Sequence, residues 1–296
     1  MPNTIQLAQV YTNLLDEVYQ NSSLTAVLES DATLSRAGAN ANEIVIPKLS
    51  MDGLADYDRN SGYTNGNVDL SWETVKFNYE RGRSFKVDNM DNEETQNIAF
   101  GRLAGEFIRT KVVPELDAFR FSTYAGIPNV GTATGSLATG EAVIGALRTA
   151  TSEMDEAEVP MEDRHLFITP TLYGLVQDLD TTKSKEVLNR FADVTLVPQS
   201  RFYTAIDLYD GKTDNTSSSG ANEKPGGYVK ATAGKDINFM IIHKPALIQY
   251  TKHTVSKVIT PEENQTADAY KFPYRAYGLA DVYENKVAGI YLHNKA

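Results

Sequence analysis

The sequence predicts an α+β fold, because patterns typical of helices and of strands occupy different parts of the chain. A long helical pattern spans residues 91–124, and alternating apolar and polar residues ahead of it predict a long two-stranded excursion. Behind the helix, shorter helical and strand-like stretches alternate. With 296 residues, 41% of them hydrophobic, the chain can bury a substantial core as one large or two modest domains.

The helical pattern at 91–124 has a start, two distinct faces and an end. Asp91 is placed to cap the helix, and Glu94 completes a capping box. Pro114 removes one backbone hydrogen bond and predicts a bend, and Gly126 ends the pattern. A continuous helix here would be roughly 50 Å long at about 1.5 Å per residue, which is more than a compact domain needs. The apolar face holds Phe100, Leu103, Ala104, Phe107, Ile108 and Val112, and the opposite, charged face holds Arg102, Glu106 and Arg109.

The excursion ahead of the helix is predicted from two strand-like runs around a polar segment. Residues 43–49 form the first run, and the second begins at Val68 and continues with period-two alternation toward the helix. Between them, Asn65-Gly66 is a strong hairpin-turn signal. An isolated hairpin is marginally stable in water, so we expect this one to need support from a partner chain.

The first residues of the chain carry an amphipathic pattern. Leu7, Tyr11, Leu14 and Val18 lie along one stripe of a predicted helix at 5–19. This helix is either an arm that packs on a neighbouring subunit or an ordinary N-terminal helix on its own domain, and the sequence leaves both interpretations open.

The region after the long helix predicts alternating helices and strands, a loop and final strands. Residues 210–227 have the lowest sequence complexity and predict a mobile surface loop. Helices are predicted at 141–156 and 170–179, and strands at 165–169, 194–198, 237–242, 255–259, 274–283 and 286–293, the last two joined by a tight turn at Asn285-Lys286.

Composition and motifs argue against several classes of function. A net charge of −11 disfavours a protein that grips nucleic acid by neutralising phosphates, and the lack of cysteine rules out disulfides and thiolate chemistry. No apolar run approaches the roughly 20 residues of a membrane span, so we expect no membrane association. The four histidines belong to no HExxH pattern, and nucleophile-elbow and phosphate-loop motifs are absent. We therefore predict no catalytic, cofactor or metal site, and no enzyme.

Two polar segments admit a functional and a structural interpretation. Residues 56–67 resemble the start of a calcium loop, but Gly62 comes one place late and Asn67 replaces the bidentate Glu, so we interpret them as a polar hairpin tip. Arg81, Arg83 and Lys86 form either an inter-subunit or nucleic-acid-facing patch or local salt bridges to Asp88, Asp91 and Glu93.

Four segments resemble one known family. They are SMDGLADYDRNSGY, WETVKFNYERGRSFKVDNMDNEET, AGEFIRTKVVPELDAFRF and NQTADAYKFPYRAYGLADVYENKVAGIY. Together with the order of elements, they resemble major capsid proteins of the HK97 fold from tailed bacteriophages, of the siphophage and prophage type of Gram-positive bacteria. The resemblance spans nearly the whole chain, and its motifs are structural rather than catalytic.

The resemblance implies a division of the chain into parts. These would be an N-terminal arm at 1–43, an E-loop hairpin at 44–86, a peripheral domain with the long spine helix at 87–125, an axial α/β domain at 126–252, and return strands of the peripheral domain with a three-fold loop at 253–296.

The resemblance also implies function and partners. The chain would assemble with itself into hexamers and pentamers of an icosahedral shell that encloses double-stranded DNA without sequence-specific binding. A portal protein and a separate scaffolding protein are expected partners, and a decoration protein is an optional one. The expected location is the virion capsid, assembled in the cytoplasm of the host bacterium. No covalent cross-linking is expected, although Lys48, Lys76 and Asn264 are available.

Specific residues are assigned to contacts between subunits. They are Leu7, Tyr11, Leu14, Tyr57, Tyr63, Trp72, Arg81, Arg83, Arg102, Arg109 and Asn264, with Pro114 as a hinge. Two alternatives to a phage shell remain: an encapsulin-like nanocompartment and a soluble enzyme.

Overall fold

The structure is a computed structural model of the chain. The residues it describes are 23–30, 36–37, 43–60, 62–94, 103, 105–179, 182–211, 226–256 and 258–296. The predicted N-terminal helix with Leu7, Tyr11 and Leu14, the charged residue Arg102 and most of the low-complexity loop lie outside these residues. Among the described helices, none combines the length and the apolar composition that a membrane crossing requires.

A three-stranded antiparallel sheet forms the predicted excursion. Its strands are β1 (Arg36–Ala37), β2 (Glu43–Met51) and β3 (Val68–Lys76), in that order. The hairpin turn predicted at Asn65-Gly66 is wrong, because these residues lie inside a longer tip at 52–67. Asp52 and Asn67 close the tip instead: Asp52 N donates to Asn67 O at 3.1 Å, and Asn67 N donates to the Asp52 carboxylate at 2.7 Å.

The second predicted run divides into two strands that belong to different sheets. After β3, the chain passes through Phe77 and Asn78 into β4 (Tyr79–Asp88). This strand pairs with β12 (Ala269–Val282), which also pairs with β11 (Leu247–Ser256), giving the antiparallel order β11-β12-β4. The excursion proper therefore ends at Lys76, and β4 is part of the body.

The described helical residues of this region begin earlier than predicted, and they include an irregular turn before Pro114. Helix α1 (Asn89–Glu94) starts after Asp88, whose carboxylate accepts from Met90 N at 3.1 Å, so Asp88 caps it and not Asp91. A π-helical turn at Ile108–Val112 leads into α2 (Val113–Ala125), with Pro114 in its first turn. The predicted end is confirmed, because Gly126 N donates to Ser122 O and Thr123 O.

A five-stranded mixed sheet lies at the centre of the body. The strands, in spatial order, are β5 (Gly131–Thr134), β13 (Ile290–Asn294), β10 (Ile237–His243), β6 (Arg164–Ile168) and β7 (Asp193–Leu196). The last strand, β13, pairs with β10 and not with β12. The tight turn predicted at Asn285-Lys286 is wrong, because a 3₁₀ segment at Glu284–Gly289 carries the chain between the two sheets.

Both faces of the central sheet are covered. Helices α3 (Gly140–Glu156), α4 (Pro170–Leu179) and α5 (Thr182–Leu188) cover one face, where they pack on Phe239 and Ile241. The other face, with Met240 and Ile242, packs against α2. A two-stranded ribbon, β8 (Ile206–Tyr209) and β9 (Gly227–Lys230), flanks the low-complexity loop.

Close packing between α3 and α4 gives a test of this arrangement. A Cβ added at Gly140 would lie 2.2 Å from Leu175 O and 2.8 Å from Leu179 Cδ1. We expect Gly140→Ala to lower the free energy of unfolding by about 1–3 kcal/mol, because the helices must move apart. Urea denaturation followed by circular dichroism measures this change.

Gly145 is the matched control on the same helix. Nothing lies within 4 Å of its added Cβ, so Gly145→Ala should be neutral or stabilise by up to about 1 kcal/mol through helix propensity. Equal losses in both variants would contradict the described packing.

Candidate inter-subunit surfaces

The excursion exposes a row of apolar side chains on one of its faces. Antiparallel register places Pro47 opposite Trp72, Leu49 opposite Leu70 and Met51 opposite Val68. Directly opposite residues share a face of a hairpin, so these six form one continuous surface, which we call the apolar hairpin face. All six are exposed, and Val68 retains 71% of its accessible area. Contiguous exposed apolar surface of this kind marks sites of protein association.

The base of the excursion is buried on the opposite face. Ile44, Ile46 and Val75 pack with Ile248 and Leu279 of the body, and each of the five is at most 6% exposed. The apolar residues thus change faces along the hairpin: the base faces its own body, whereas the outer part is apolar on the face that points the other way.

The tip of the excursion is a small, internally braced turn. The rings of Tyr57 and Tyr63 are 4.8 Å apart, although Tyr57 is 58% and Tyr63 is 89% exposed. Gly62 N donates to Asp58 O at 2.7 Å, and the φ of 81° at Gly62 is one that glycine adopts without strain. The Asp58 carboxylate accepts from Asn60 N at 2.9 Å.

These contacts assign the tip carboxylates a role in local turn structure. Across the described residues, no three His, Cys, Asp or Glu side chains converge in a way that would hold a metal ion. What the tip presents outward is a pair of aromatic rings on a fixed turn.

Arg81 and Arg83 lie in a cleft of about 900 Å³ between β4, the π-helical turn and the β8–β9 ribbon. The local salt bridges predicted for Arg81 are wrong: its Nε donates to Glu115 on α2 at 2.7 Å, and its Nη2 donates to Gly227 O at 3.3 Å. Burial beside the Glu115 carboxylate raises the pKa of Tyr79, whose hydroxyl is 3.5 Å from that carboxylate.

Arg83 reaches the base of the low-complexity loop. Its guanidinium Nη1 would lie 2.6 Å from a Cβ added at Gly211 and 3.1 Å from one added at Gly226. Both glycines have positive φ, 70° and 72°, a backbone conformation that favours glycine at each position. Arg81 thus links β4 to the ribbon by a hydrogen bond, and Arg83 lies against Gly211 and Gly226, while their role in contacts between subunits stays a prediction.

Of the other residues assigned to subunit contacts, Arg109 and Asn264 have partners close by in sequence. Arg109 forms the expected i,i+3 ion pair with Glu106. Asn264 braces its own loop, since its amide donates to Ala269 O at 2.9 Å and its carbonyl oxygen accepts from the Thr266 hydroxyl at 2.8 Å. Pro114 is buried directly after the π-helical turn, and both features are recognised causes of helix bending.

A buried polar network that the sequence did not indicate holds the segment 23–30 against α2. The Asp117 carboxylate, fully buried, accepts from the Ser23 hydroxyl at 2.9 Å and from the Thr25 hydroxyl at 2.8 Å. It also accepts from Leu24 N at 3.1 Å and from the buried Arg201 guanidinium at 3.2 Å. One carboxylate thereby joins three parts of the chain.

The same segment is fixed to β11 by neighbouring contacts. Arg120 Nη1 donates to the Thr25 hydroxyl at 2.9 Å, and Gln249 donates to Thr25 O at 2.8 Å while accepting from the Tyr124 hydroxyl at 2.7 Å. One signal could have drawn attention to Asp117 and Arg120, because these charged residues fall among apolar residues late in the helical pattern, although their partners could not be inferred from it.

Comparisons with known proteins identify the fold. No family model matches the sequence, and no curated protein matches it. A structure from Mycobacterium phage Che8 is similar with a TM-score of 0.57 at 12% identity, covering 94% of this chain and 93% of that one. The mature capsid of bacteriophage PhiM1 is similar with a TM-score of 0.59 at 11% identity, covering 93% and 87%.

A virus-like particle from Pyrococcus furiosus is also similar, with a TM-score of 0.53 at 12% identity, covering 97% of this chain and 99% of that one. The predicted HK97-like capsid fold is therefore confirmed over nearly the full length of the chain.

The Asp117 network should contribute strongly to stability. Asp117→Ala removes the carboxylate that pairs with the buried guanidinium of Arg201 and accepts from the amides of Leu24 and Thr25. We expect a loss of about 3–5 kcal/mol, as for other buried ion pairs that lose one partner. Urea denaturation measures it.

The control is Glu80→Ala, which removes an exposed ion pair with Arg275 and should cost less than about 1 kcal/mol. A loss as small for Asp117→Ala as for Glu80→Ala would show that the network does not hold the segment.

Proposed function

We propose that this chain is the major capsid protein of a tailed bacteriophage and assembles with itself into the hexamers and pentamers of an icosahedral shell. The observation that carries the proposal is the apolar hairpin face. It is exposed, and it lies on the side of the hairpin opposite to the one whose base packs on the body. Among the described residues, no part of the body covers this face, so we propose a second subunit as its cover. The capsid structures to which the chain is similar support this proposal.

The contact we propose is head-to-tail. The excursion of one subunit lies on a different surface of the next, which makes the interface heterologous, and such contacts generate closed rings. Obligate interfaces of this kind commonly bury upwards of about 2,000 Å² in total. Tyr57, Tyr63 and Trp72 then supply aromatic contact area between neighbours, as aromatic residues do in many interfaces.

We assign the parts of the chain accordingly. Residues 1–43 are proposed as the N-terminal arm and 44–86 as the E-loop, whose projecting part is the hairpin of β2 and β3. Residues 87–125 supply the spine helix, 126–252 the axial domain, and 253–296 the return strands and three-fold loop. Pro114 and the adjoining π-helical turn are the proposed hinge that lets one chain fit both ring sizes.

The proposed partners follow from a phage shell. The shell encloses double-stranded DNA without reading its sequence, which agrees with the net charge of −11. A portal protein, a separate scaffolding protein and, in some virions, a decoration protein complete it. Assembly takes place in the cytoplasm of the host, for which we propose a Gram-positive bacterium, and the protein is not an enzyme.

A nanocompartment shell is the second candidate, and the similarity to the virus-like particle from Pyrococcus is the observation behind it. Capsid structures of several phages are similar as well, with TM-scores of 0.54 to 0.59, so we prefer the phage shell.

Particle size tests the proposal directly. The purified protein, alone or co-expressed with its neighbouring genes, should form particles tens of nanometres across in negative-stain electron microscopy. Nuclease-protected DNA inside virions supports the phage shell, and a packaged enzyme supports the nanocompartment. A monodisperse monomer or dimer under every assembly condition would contradict both.

A charge on the apolar hairpin face should block assembly without unfolding the subunit. We expect Leu70→Glu to leave the circular dichroism spectrum and the melting temperature of the subunit unchanged, because Leu70 is 54% exposed, but to abolish particles in microscopy. Ser50→Glu adds the same charge on the other face of the hairpin, on the neighbouring strand, and should still assemble. Normal particles from Leu70→Glu would refute the role of this face.

A further inference from the structure

Two residues, Phe77 and Asn78, connect the excursion to the body. The side chain of Asn78 continues the hydrogen-bond ladder between β4 and β12. Regular pairing between β4 and β12 ends where Tyr79 lies opposite Gly278. Beyond that point, the side-chain amide of Asn78 donates to Ala280 O at 2.7 Å, and its carbonyl oxygen accepts from Ala280 N at 3.1 Å. Both backbone groups of the buried Ala280 are thereby satisfied, although the main chain has already turned away.

The other connecting residue is fixed by ring contacts. Phe77 stacks on Tyr277 of β12, with centroids 4.7 Å apart and an interplanar angle of 27°. The amine of Lys252 lies 4.8 Å from the centre of the Phe77 ring. The two-residue connection is therefore held on one strand of the body by an amide pair and by an aromatic stack.

A second clamp lies on the opposite strand of the excursion. Lys48 follows the buried Ile44 and Ile46 on the same face of β2, and its amine is 2.8 Å from the Glu284 carboxylate of the body. Glu73 on β3 belongs to this charge cluster: burial, Glu284 and Asp281 raise its pKa, and Lys48 opposes that rise. One amine thus stands among carboxylates of both the excursion and the body, and it offsets their mutual repulsion.

We propose that Asn78 and the Lys48–Glu284 pair are positioning residues that set the direction in which the excursion leaves the body before any neighbour binds. The inference rests on the proposed function, because the orientation matters for reaching the next subunit. A hairpin already aimed loses less conformational freedom on docking, and such preorganisation favours association. The clamps act at the base, whereas the apolar hairpin face and the tip make the contacts.

Electron paramagnetic resonance distances test the proposal on the full chain. Because the sequence has no cysteine, Leu54→Cys at the tip and Ser152→Cys on α3, both exposed, give one labelled pair. Labelled chains diluted in unlabelled ones report distances within single subunits. We expect a narrow distribution in the parent chain and a broadened or shifted one after Asn78→Ala or Lys48→Glu. The exchange Lys48→Glu with Glu284→Lys should restore the narrow distribution, which a general loss of packing would not do.

Arg59→Glu is the matched control, since it makes the same charge change on the excursion but at the tip, and its distribution should equal that of the parent. Assembly followed by light scattering should be slower for Asn78→Ala and Lys48→Glu and should recover in the exchange. Unchanged distances in both single variants, or no recovery in the exchange, would overturn the proposal. If Asn78→Ala fails to fold, the Lys48 and Glu284 variants decide the question. A parent chain that never forms particles would refute the proposed function. The distance distributions would still test whether Asn78 and the Lys48–Glu284 pair orient the excursion.

Discussion

The fold depends on one buried carboxylate that holds three parts of the chain together. Asp117 on α2 accepts hydrogen bonds from the 23–30 segment and pairs with Arg201, so the start of the described chain, the helix and the centre of the body share a single junction. An unpaired charge at this depth would cost several kcal/mol, so the segment and the helix form their contacts together. The segment 23–30 is thereby anchored to the body of its own chain.

From this junction outward, fewer of the apolar side chains are buried within the subunit. The five-stranded sheet is covered on both faces, and the β11-β12-β4 sheet packs on α2. Within the described part of the chain, the excursion has its apolar contacts with the body along its base, through Ile44, Ile46 and Val75. Its outer part, including Trp72, is exposed. This gradient separates a body that folds by itself from an element whose apolar surface is left for a partner.

The sequence predicted the features that local patterns determine. The excursion, the end of the long helix at Gly126 and the Glu106–Arg109 pair all follow from spacing. Local signals failed where contacts between residues far apart in sequence determine the structure. Asn65-Gly66 is a favourable turn sequence, but the tip is closed by Asp52 and Asn67. Strand β4 pairs with β12, almost 200 positions away. Asp88 and Asp91 are both acceptable caps, and pattern alone could not choose between them. The Asp117 network joins residues too far apart in sequence for any periodicity to connect.

The change of apolar face along the excursion has a thermodynamic consequence. A hairpin whose outer half gains its burial only from another molecule has no fixed stability of its own, because that stability depends on subunit concentration by mass action. In dilute solution the outer excursion should therefore keep its paired strands but exchange its amide hydrogens faster than the body does. In a closed shell the same amides should be among the slowest to exchange, because docking adds the stability that the outer excursion lacks alone.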